Sequence, residues 1–419
     1  MTIHPIVSAL RHHKAGALLI ALQIALSLAI ICNALFIIRA RFDGMSRPTG
    51  IAENDLLFVA SSNPGLDANT DVGKASIDAS VKADITALRQ LPDVEDAYET
   101  NSLPLTGVTW TLGAGLKPGM NIDTLVSLYD SDEHTLPTLG LQLIAGRNFQ
   151  SDEIGGGSLL DAVQPPVVII TKPLADKLFP HGDALGKQIY FSNATKPSTI
   201  IGIVSRLQSA AANGATDNMV WNSALIPKRL IASSRYYVIR TKPGRQLSAM
   251  KNAPDALYLQ DPERVIPDGT TGSSAGVRTF EQIRSEAYRS DRRLALLMGA
   301  ISVILLAVTA AGIAGLSSFW VGQRRRQIGV RRAFGATRHD ILSYFLIENA
   351  LISGTGIVAG VLLAFEFNGW MITRFELARL SWVYVLIGAV ALLVLSQAAA
   401  LAPALRASQV APVEAIRST

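Results

Sequence analysis

The sequence has only one cysteine, Cys32, and charged residues make up just 17% of its 419 residues. A single cysteine excludes an intrachain disulfide and any zinc site built from several thiolates. A phosphate-binding loop is also missing, because the segment HGDALGKQ (181–188) has the wrong glycine spacing. It also has Gln188 where Ser or Thr must hold Mg²⁺. We therefore expect no ATP site, no cofactor and no metal site in this chain.

Charge is scarcest in four long apolar runs, of which only the third carries a charged residue, Glu348. About 20 apolar residues in a helix cross the hydrocarbon core of a bilayer, and each run is at least that long. We therefore predict an α-helical membrane protein with four transmembrane helices and a large α+β extracytoplasmic domain of two lobes. The predicted spans are 15–38, 294–322, 341–365 and 380–405.

The distribution of charge predicts the topology. Residues 41–292 contain 24 Lys+Arg against 28 Asp+Glu, whereas the rest of the chain contains 14 against 5. Basic residues in short loops mark the cytoplasmic side, so the net charge of +5 indicates membrane topology and no nucleic-acid partner. The predicted cytoplasmic segments are 1–14 (a helix on the membrane lipids), 323–340 and 406–419, and the predicted periplasmic ones are 39–293 and 366–379.

The outer domain shows helix and strand patterns in alternation. Apolar residues at helical spacing predict a helix over 74–91, and β-branched runs predict buried strands. We expect further helices at 172–180 and 246–260, a helical continuation of the second span over 281–293, and strands at 94–100, 165–171, 198–205 and 235–241.

Two patterns in this domain could suggest an enzyme, but neither is convincing. The segment GSSAG (272–276) places Ser274 in a nucleophile motif, yet no strand precedes it and no helix follows. The domain has two histidines, His134 and His181, which are far apart in sequence and have no cysteine near them. We predict a non-catalytic protein without a metal site.

Polar residues inside the predicted spans require an explanation, because they are costly in hydrocarbon. Asn33, Glu348, Asn349 and Gln397 could line a path for an ion or substrate, or could hold helices together by hydrogen bonds, which we favour. Gly356 and Gly360 form a G-x-x-x-G pair, which predicts close helix packing, within the chain or across a dimer.

The cytoplasmic segment 322–340 reads GQRRRQIGVRRAFGATRHD and contains six arginines. Topology and anionic lipid would account for positive charge anywhere in this loop. Here Ile328, Val330 and Phe334 interleave with the arginines, and Gly335 interrupts the pattern. This arrangement predicts a short amphipathic helix, whose apolar and basic faces suit docking on a protein as well as contact with lipid.

This segment, continued to QRRRQIGVRRAFGATRHDIL, resembles the signature of the MacB/FtsX-like ABC-transporter permeases. The usual glutamate of that signature is Gln327 here. LIAGRNF (143–149), residues 166–191 and residues 403–418 also resemble the family, so the resemblance covers nearly the whole chain. The residues that match the signature are Arg324, Ile328, Gly329, Val330, Arg331, Ala333, Gly335, Ala336, Thr337 and Ile341.

The resemblance implies a permease that transmits ATPase movement through the membrane to a Porter-like lobe (50–145 and 228–285) and a Sabre-like lobe (146–227). The implied ATPase-coupling residues are Arg324, Ile328, Gly329, Val330, Arg331, Ala333, Phe334 and Gly335. The implied partners are two copies of a separate ATPase subunit that binds ATP and Mg²⁺, a second identical or related permease chain, a periplasmic adaptor and an outer-membrane channel. Substrate would be exported from the periplasm. The alternatives are an FtsX-like regulator of cell-wall hydrolases and a LolC/LolE-like lipoprotein-releasing permease.

Overall fold

The computed structural model describes residues 14–108, 110–119, 122–158, 163–192, 194–211, 219–268, 275–375 and 379–409. The chain divides into two compact units. One contains the long apolar helices, and the other comprises Ser46–Ser290. Each unit is described separately below.

The helices and strands are numbered along the chain. The helices are α1 (Lys14–Met45), α2 (Asp71–Arg89), α3 (Thr135–Leu139), α4 (Lys172–Leu178), α5 (Gln246–Gln260), α6 (Phe280–Ala287), α7 (Arg289–Gln323), α8 (Arg325–Ala333), α9 (Arg338–Phe375) and α10 (Trp382–Ser408). The strands are β1 (Leu56–Ser62), β2 (Val94–Thr100), β3 (Trp110–Gly115), β4 (Thr124–Ser131), β5 (Leu143–Gly146), β6 (Gly155–Gly157), β7 (Val167–Thr171), β8 (Gln188–Phe191), β9 (Ser198–Val204), β10 (Ser223–Leu230), β11 (Ser234–Thr241) and β12 (Val277–Thr279).

Four of these helices, α1, α7, α9 and α10, are long and apolar enough to cross a membrane. Each extends past the apolar run that predicted it, because helical hydrogen bonding continues into the polar flanks. The largest difference is at the end of α9, which continues through residues 366–375. The predicted loop 366–379 is therefore wrong over most of its length.

The first helix lies at the centre of the membrane unit. Ile20, Ile24, Leu28 and Cys32 follow one another at four-residue spacing on α1, and all four are fully buried. They pack in two apolar clusters with residues of α7, α9 and α10. In contrast, α7 leaves most of its apolar surface exposed, including Leu296.

The outer unit contains a four-stranded sheet in the order β12-β1-β11-β2, with every pair antiparallel. Helices α2 and α5 share an apolar core with this sheet. The predicted helix at 74–91 is confirmed as α2, and its buried apolar residues are those whose spacing predicted it: Ile77, Val81, Ile85 and Leu88.

A buried ion pair lies in the same core. Arg264 donates to both carboxylate oxygens of Asp84, at 2.6 and 3.0 Å, and both side chains are fully buried. The hydroxyl of Tyr237 on β11 also donates to Asp84. Because Asp84 belongs to α2, the pair attaches this helix to the sheet and to the segment that follows α5.

The second sheet is mixed and larger, with eight strands in the order β4-β3-β8-β9-β7-β10-β6, and β5 on β9. Strands β3 and β4 belong to this sheet, because β3 pairs with β8 and β4 pairs with β10, although their residues fall within the predicted Porter-like lobe. The predicted boundary near residue 145 is therefore wrong for these two strands. These pairings join residues far apart in the chain, such as Ala114 with Phe191 and Ser127 with Ser223, and they override the position of the strands in the sequence.

The end of β2 attaches one sheet to the other. The hydroxyl of Thr100 donates to the carbonyl of Asp130 on β4 at 2.9 Å, and the Asn101 side chain accepts from the Asp130 N–H at 2.9 Å. Glu99 accepts from the N–H of Leu230 on β10 at 3.1 Å. Residues 99–101 therefore form a polar junction between the two sheets.

The predicted helical continuation over 281–293 is interrupted. Helix α6 begins with a capping box at Thr279 and ends at Ala287. Tyr288 separates it from α7, which begins at Arg289. The segment is helical, as predicted, but consists of two helices.

Candidate coupling site between the second and third membrane helices

A short helix, α8, connects two membrane helices and carries most of the predicted coupling residues. We call α8 the elbow helix. A break at Arg324 separates it from α7, and Gly335, with a φ of +96°, turns the chain after it. Such a φ favours glycine because it has no Cβ. Thr337 and Asp340 then cap the start of α9 by reciprocal hydrogen bonds of 3.2 and 2.9 Å.

The inner face of the elbow helix is buried. Ile328 is 4% exposed and packs in a small apolar cluster with Val321, Ile341 and Ala407, which belong to α7, α9 and α10. Gly329 is buried beside it. The expectation that Ile328 belongs to an exposed docking face is therefore wrong, because its side chain is part of the core.

Arg324 is also turned inward. Its Nη1 lies 3.0 and 2.8 Å from the two carboxylate oxygens of Glu348 on α9. The two side chains are only 10% and 4% exposed. The structure thus pairs a predicted coupling residue with a predicted packing residue, and leaves Arg324 unable to form a surface contact.

Two further arginines hold the elbow helix to its neighbours. The guanidinium of Arg331 lies over the ring of Tyr344 on α9, 4.9 Å from the centroid. Arg332 donates to the carbonyl of Ser408 at 2.6 Å, where it meets one of the last carbonyls of α10. A cation is favourable there, since the C-terminal end of a helix carries partial negative charge.

The outer face of the elbow helix is exposed and partly apolar. Phe334 is 90% exposed and Val330 is 46% exposed. Arg325, Arg326 and Ala333 are also exposed. Because Val330 and Phe334 are four residues apart, they lie on the same face of a helical turn. This face combines an aromatic side chain with arginines, a composition typical of protein interfaces.

The polar residues of the spans form hydrogen bonds between helices. The Asn33 amide donates to the carbonyls of Ala29 and Ala364, at 2.9 and 3.2 Å. The Asn349 amide donates to the carbonyl and hydroxyl of Ser396 on α10, at 3.1 and 3.0 Å. With its amide oriented to satisfy both groups, Gln397 donates to the carbonyl of Leu346 at 3.3 Å.

The two glycines of the G-x-x-x-G pair lie against the backbone of α1. A Cβ on Gly356 would lie 2.7 Å from the carbonyl oxygen of Ala21, and one on Gly360 would lie 2.9 Å from that of Ala25. The pair therefore lets α9 approach α1 closely within one chain. The alternative in which this pair packs across a dimer is wrong, because the surface is already covered.

The other candidate residues do not form a catalytic or metal site in the described part of the chain. His134 contacts Asp96, with 2.9 Å between the ring nitrogen and a carboxylate oxygen, and His181 is exposed elsewhere. The described residues contain no group of three or more His, Cys, Asp or Glu side chains that could hold a metal ion. Ser274 lies outside the described residues.

A group of buried ionisable side chains that no sequence motif indicated lies where the two sheets meet. Glu99, Asp130 and Arg235 are at most 3% exposed. Burial raises the pKa of Asp130 to about 7, although the charge of Lys228 opposes this rise. Burial and the neighbouring Asp130 raise the pKa of Glu99 well above its ordinary value. The sequence does show polar residues at 99–101, at the end of β2. It does not show that the second sheet buries them.

Comparison with known proteins identifies the family. Residues 17–257 match the MacB-like periplasmic core domain, and residues 299–412 match the FtsX-like permease C-terminal region. The chain is 28% identical over 418 residues to the macrolide export ATP-binding/permease protein MacB 1/2 of Paracoccus denitrificans, which covers 97% of this chain and 57% of that protein.

The chain is also 25% identical over 374 residues to the pyoverdine export ATP-binding/permease protein PvdT of Pseudomonas fluorescens. That alignment covers 88% of this chain and 52% of PvdT. The chain thus spans about half the length of these curated relatives. The crystal structure of the periplasmic region of MacB from Actinobacillus actinomycetemcomitans matches with a TM-score of 0.34 and 15% identity, over 58% of this chain and 96% of that one. The chain belongs to the family of MacB-like, FtsX-like ABC-transporter permeases and is a multi-pass inner-membrane protein with an α+β periplasmic domain.

Proposed function

We propose that the chain is the permease subunit of an ABC export system, and that it transmits the movement of an ATPase through the membrane to its periplasmic domain. The observation that carries this proposal is the exposed face of the elbow helix, where Phe334 is 90% exposed between arginines. The family match supports the same reading. An isolated aromatic side chain of this kind is stabilised when a partner covers it.

The expected partner is a separate ATPase subunit in two copies, one for each of two permease chains. No phosphate-binding loop occurs in the 419 residues, so ATP and Mg²⁺ would bind to the partner. In this arrangement both termini lie in the cytoplasm. A periplasmic adaptor and an outer-membrane channel would carry the substrate onward.

The energies favour an apolar contact over a purely ionic one. Burying a side chain of the size of Phe334 contributes about 2–3 kcal/mol. An exposed arginine–carboxylate pair contributes at most about 1 kcal/mol. Phe334 should therefore contribute more to docking than any one exposed arginine.

The test is to replace Phe334 with Asp and to measure two properties of the membrane complex. We expect the Phe334→Asp variant to insert normally but to lose co-purification of the ATPase or stimulation of its activity. Arg331→Ala should have a smaller effect on both measurements. Ile328→Asp is unsuitable as a test, because that side chain is buried in the core.

A matched control is available in the periplasmic domain. Leu259 is 83% exposed and belongs to the periplasmic domain, so Leu259→Asp also replaces an exposed apolar side chain with aspartate, but in the other unit of the chain. It should leave the ATPase bound and active. If Phe334→Asp behaved like this control, docking through the elbow helix would be refuted.

A further inference from the structure

Arg324 lies at the joint between a membrane helix and the elbow helix. Its N–H donates to the carbonyl of Trp320 at 3.1 Å, and its carbonyl accepts from the N–H of Ile328 at 2.9 Å. Helical hydrogen bonding therefore passes through the joint, although Arg324 itself interrupts the regular helix. If the elbow helix rotated relative to α7, the backbone conformation of Arg324 would have to change.

The side chain of the same residue is attached to a different membrane helix. The contacts of 3.0 and 2.8 Å join Arg324 to Glu348, which is ten positions along α9 from its first residue, Arg338. At 1.5 Å per residue, this point lies about 15 Å inside that helix. The ion pair therefore connects the joint to the interior of α9.

The packing beside this ion pair is incomplete. A small cavity of about 20 Å³ borders Glu348, and Pro403 lies inside the neighbouring helix α10. Proline removes one backbone hydrogen bond, which makes a helix easier to bend there. Space and a bendable neighbour would allow Glu348 to shift together with Arg324. The residues around the cavity include Ser317, Trp320, Phe345, Glu348, Asn349 and Pro403.

We propose that Arg324 and Glu348 are positioning residues that pass the displacement of the elbow helix to α9. This inference rests on the proposed function, since an ATPase must move the elbow helix. Stability alone does not require such a pair, because apolar residues of similar size often replace a buried ion pair without loss of stability. Removing one partner leaves the other charge buried and unpaired, so single variants cannot separate stability from transmission.

Two double variants separate these roles. In Arg324→Met with Glu348→Met, the pair becomes apolar and both charges are removed together. In Arg324→Glu with Glu348→Arg, the charges are exchanged. For each variant, thermal unfolding, co-purification of the ATPase and stimulation of its activity are measured on the full chain in the membrane complex.

A distance measurement reports transmission directly. Spin labels are placed at Gln327→Cys on the elbow helix and Val358→Cys on α9, two exposed positions, and the labelled chain is first checked for native ATPase stimulation. The distance between labels is compared with ADP bound and with ATP and vanadate bound. With the native pair, it should be the same in both states, because the two helices move together.

The methionine double variant should fold and bind the ATPase, but its label distance should change with nucleotide and its ATPase stimulation should fall at least about fivefold. The exchanged pair should restore both properties. A folded methionine variant with native distances and native stimulation would refute the proposal. If the methionine variant does not fold, the variant with exchanged charges is used instead. Native label distances and native ATPase stimulation in that variant support the proposal. A folded variant that lacks both overturns it.

The two proposals fail in different ways. If no ATPase co-purified with the native chain, the proposed function itself would be refuted. If the methionine variant in an ATPase-bound complex were indistinguishable from the native chain, only the role of this ion pair would be refuted.

Discussion

Replacing Asp130 with Asn should stabilise the periplasmic domain at alkaline pH. Asp130 is fully buried on β4, and neither of its carboxylate oxygens has a hydrogen-bond partner among the described residues. Burial raises its pKa from an ordinary value of 3.8 to about 7, with Lys228 acting in the opposite direction. The folded chain therefore holds a proton that the unfolded chain releases.

The sign and size of the effect follow from this difference. Below about pH 3 both states are protonated, and Asp130 adds no pH dependence. As the pH rises from about 4 to 7, the unfolded state releases its proton first, so the free energy of unfolding falls. A change from 3.8 to about 7 corresponds to roughly 4 kcal/mol, all of it lost by about pH 8.

The assay is thermal unfolding of the full chain in detergent between about pH 4 and pH 8, with hydrogen exchange of β4 to locate the change. Asp130→Asn should match the native chain near pH 4 and exceed its stability near pH 8. Some pH dependence should remain, because burial also raises the pKa of Glu99. Asp255→Asn, at an exposed aspartate, is the control. An Asp130→Asn variant that was less stable than the native chain near pH 8 would refute this reasoning.

Two further predictions concern packing. Gly360→Leu should strongly lower the yield of folded protein by size-exclusion chromatography, because its Cβ would lie 2.9 Å from the carbonyl oxygen of Ala25; Gly369→Leu, where nothing lies within 4 Å, should be tolerated. Arg264→Met should destabilise the outer domain by about 3–5 kcal/mol in denaturant unfolding, since Asp84 stays buried without its ionic partner, and adding Asp84→Asn should recover part of the loss. Equal yields for the two glycine variants, or no recovery in the second pair, would contradict these predictions.

The sequence was sufficient for those parts of the fold in which burial follows local periodicity. Apolar runs located the four membrane helices, and the spacing of Ile77, Val81, Ile85 and Leu88 located α2. The ends of the membrane helices could not be predicted, because hydrogen bonding in a helix continues after the apolar residues stop. The lobe boundary near residue 145 was wrong for β3 and β4 because strand pairing between distant segments leaves no local pattern.

The candidate coupling site was likewise predictable from the sequence only in part. Arginines and apolar residues in one short segment indicated a surface for docking, and Phe334 is on that surface. Successive residues of a helix are rotated by about 100°, so Ile328 and Val330, which are two positions apart, lie on opposite faces. The sequence alone could therefore have shown that Ile328 does not share the face of Val330. The pairing of Arg324 with Glu348 requires three helices to meet and could not be inferred from either residue alone.

The close contact between α1 and α9 has a consequence for biosynthesis. The Asn33 amide reaches the carbonyl of Ala364, which is 331 residues further along the chain. At ribosomal speeds of about 5–20 residues per second, the first helix waits on the order of tens of seconds for this partner. During that time Asn33 can use the carbonyl of Ala29 on its own helix, which it contacts at 2.9 Å in the finished protein. Helix α1 is therefore fully packed only after α9, the third span of this chain, has been inserted, and the carbonyl of Ala29 satisfies its polar side chain in lipid until then.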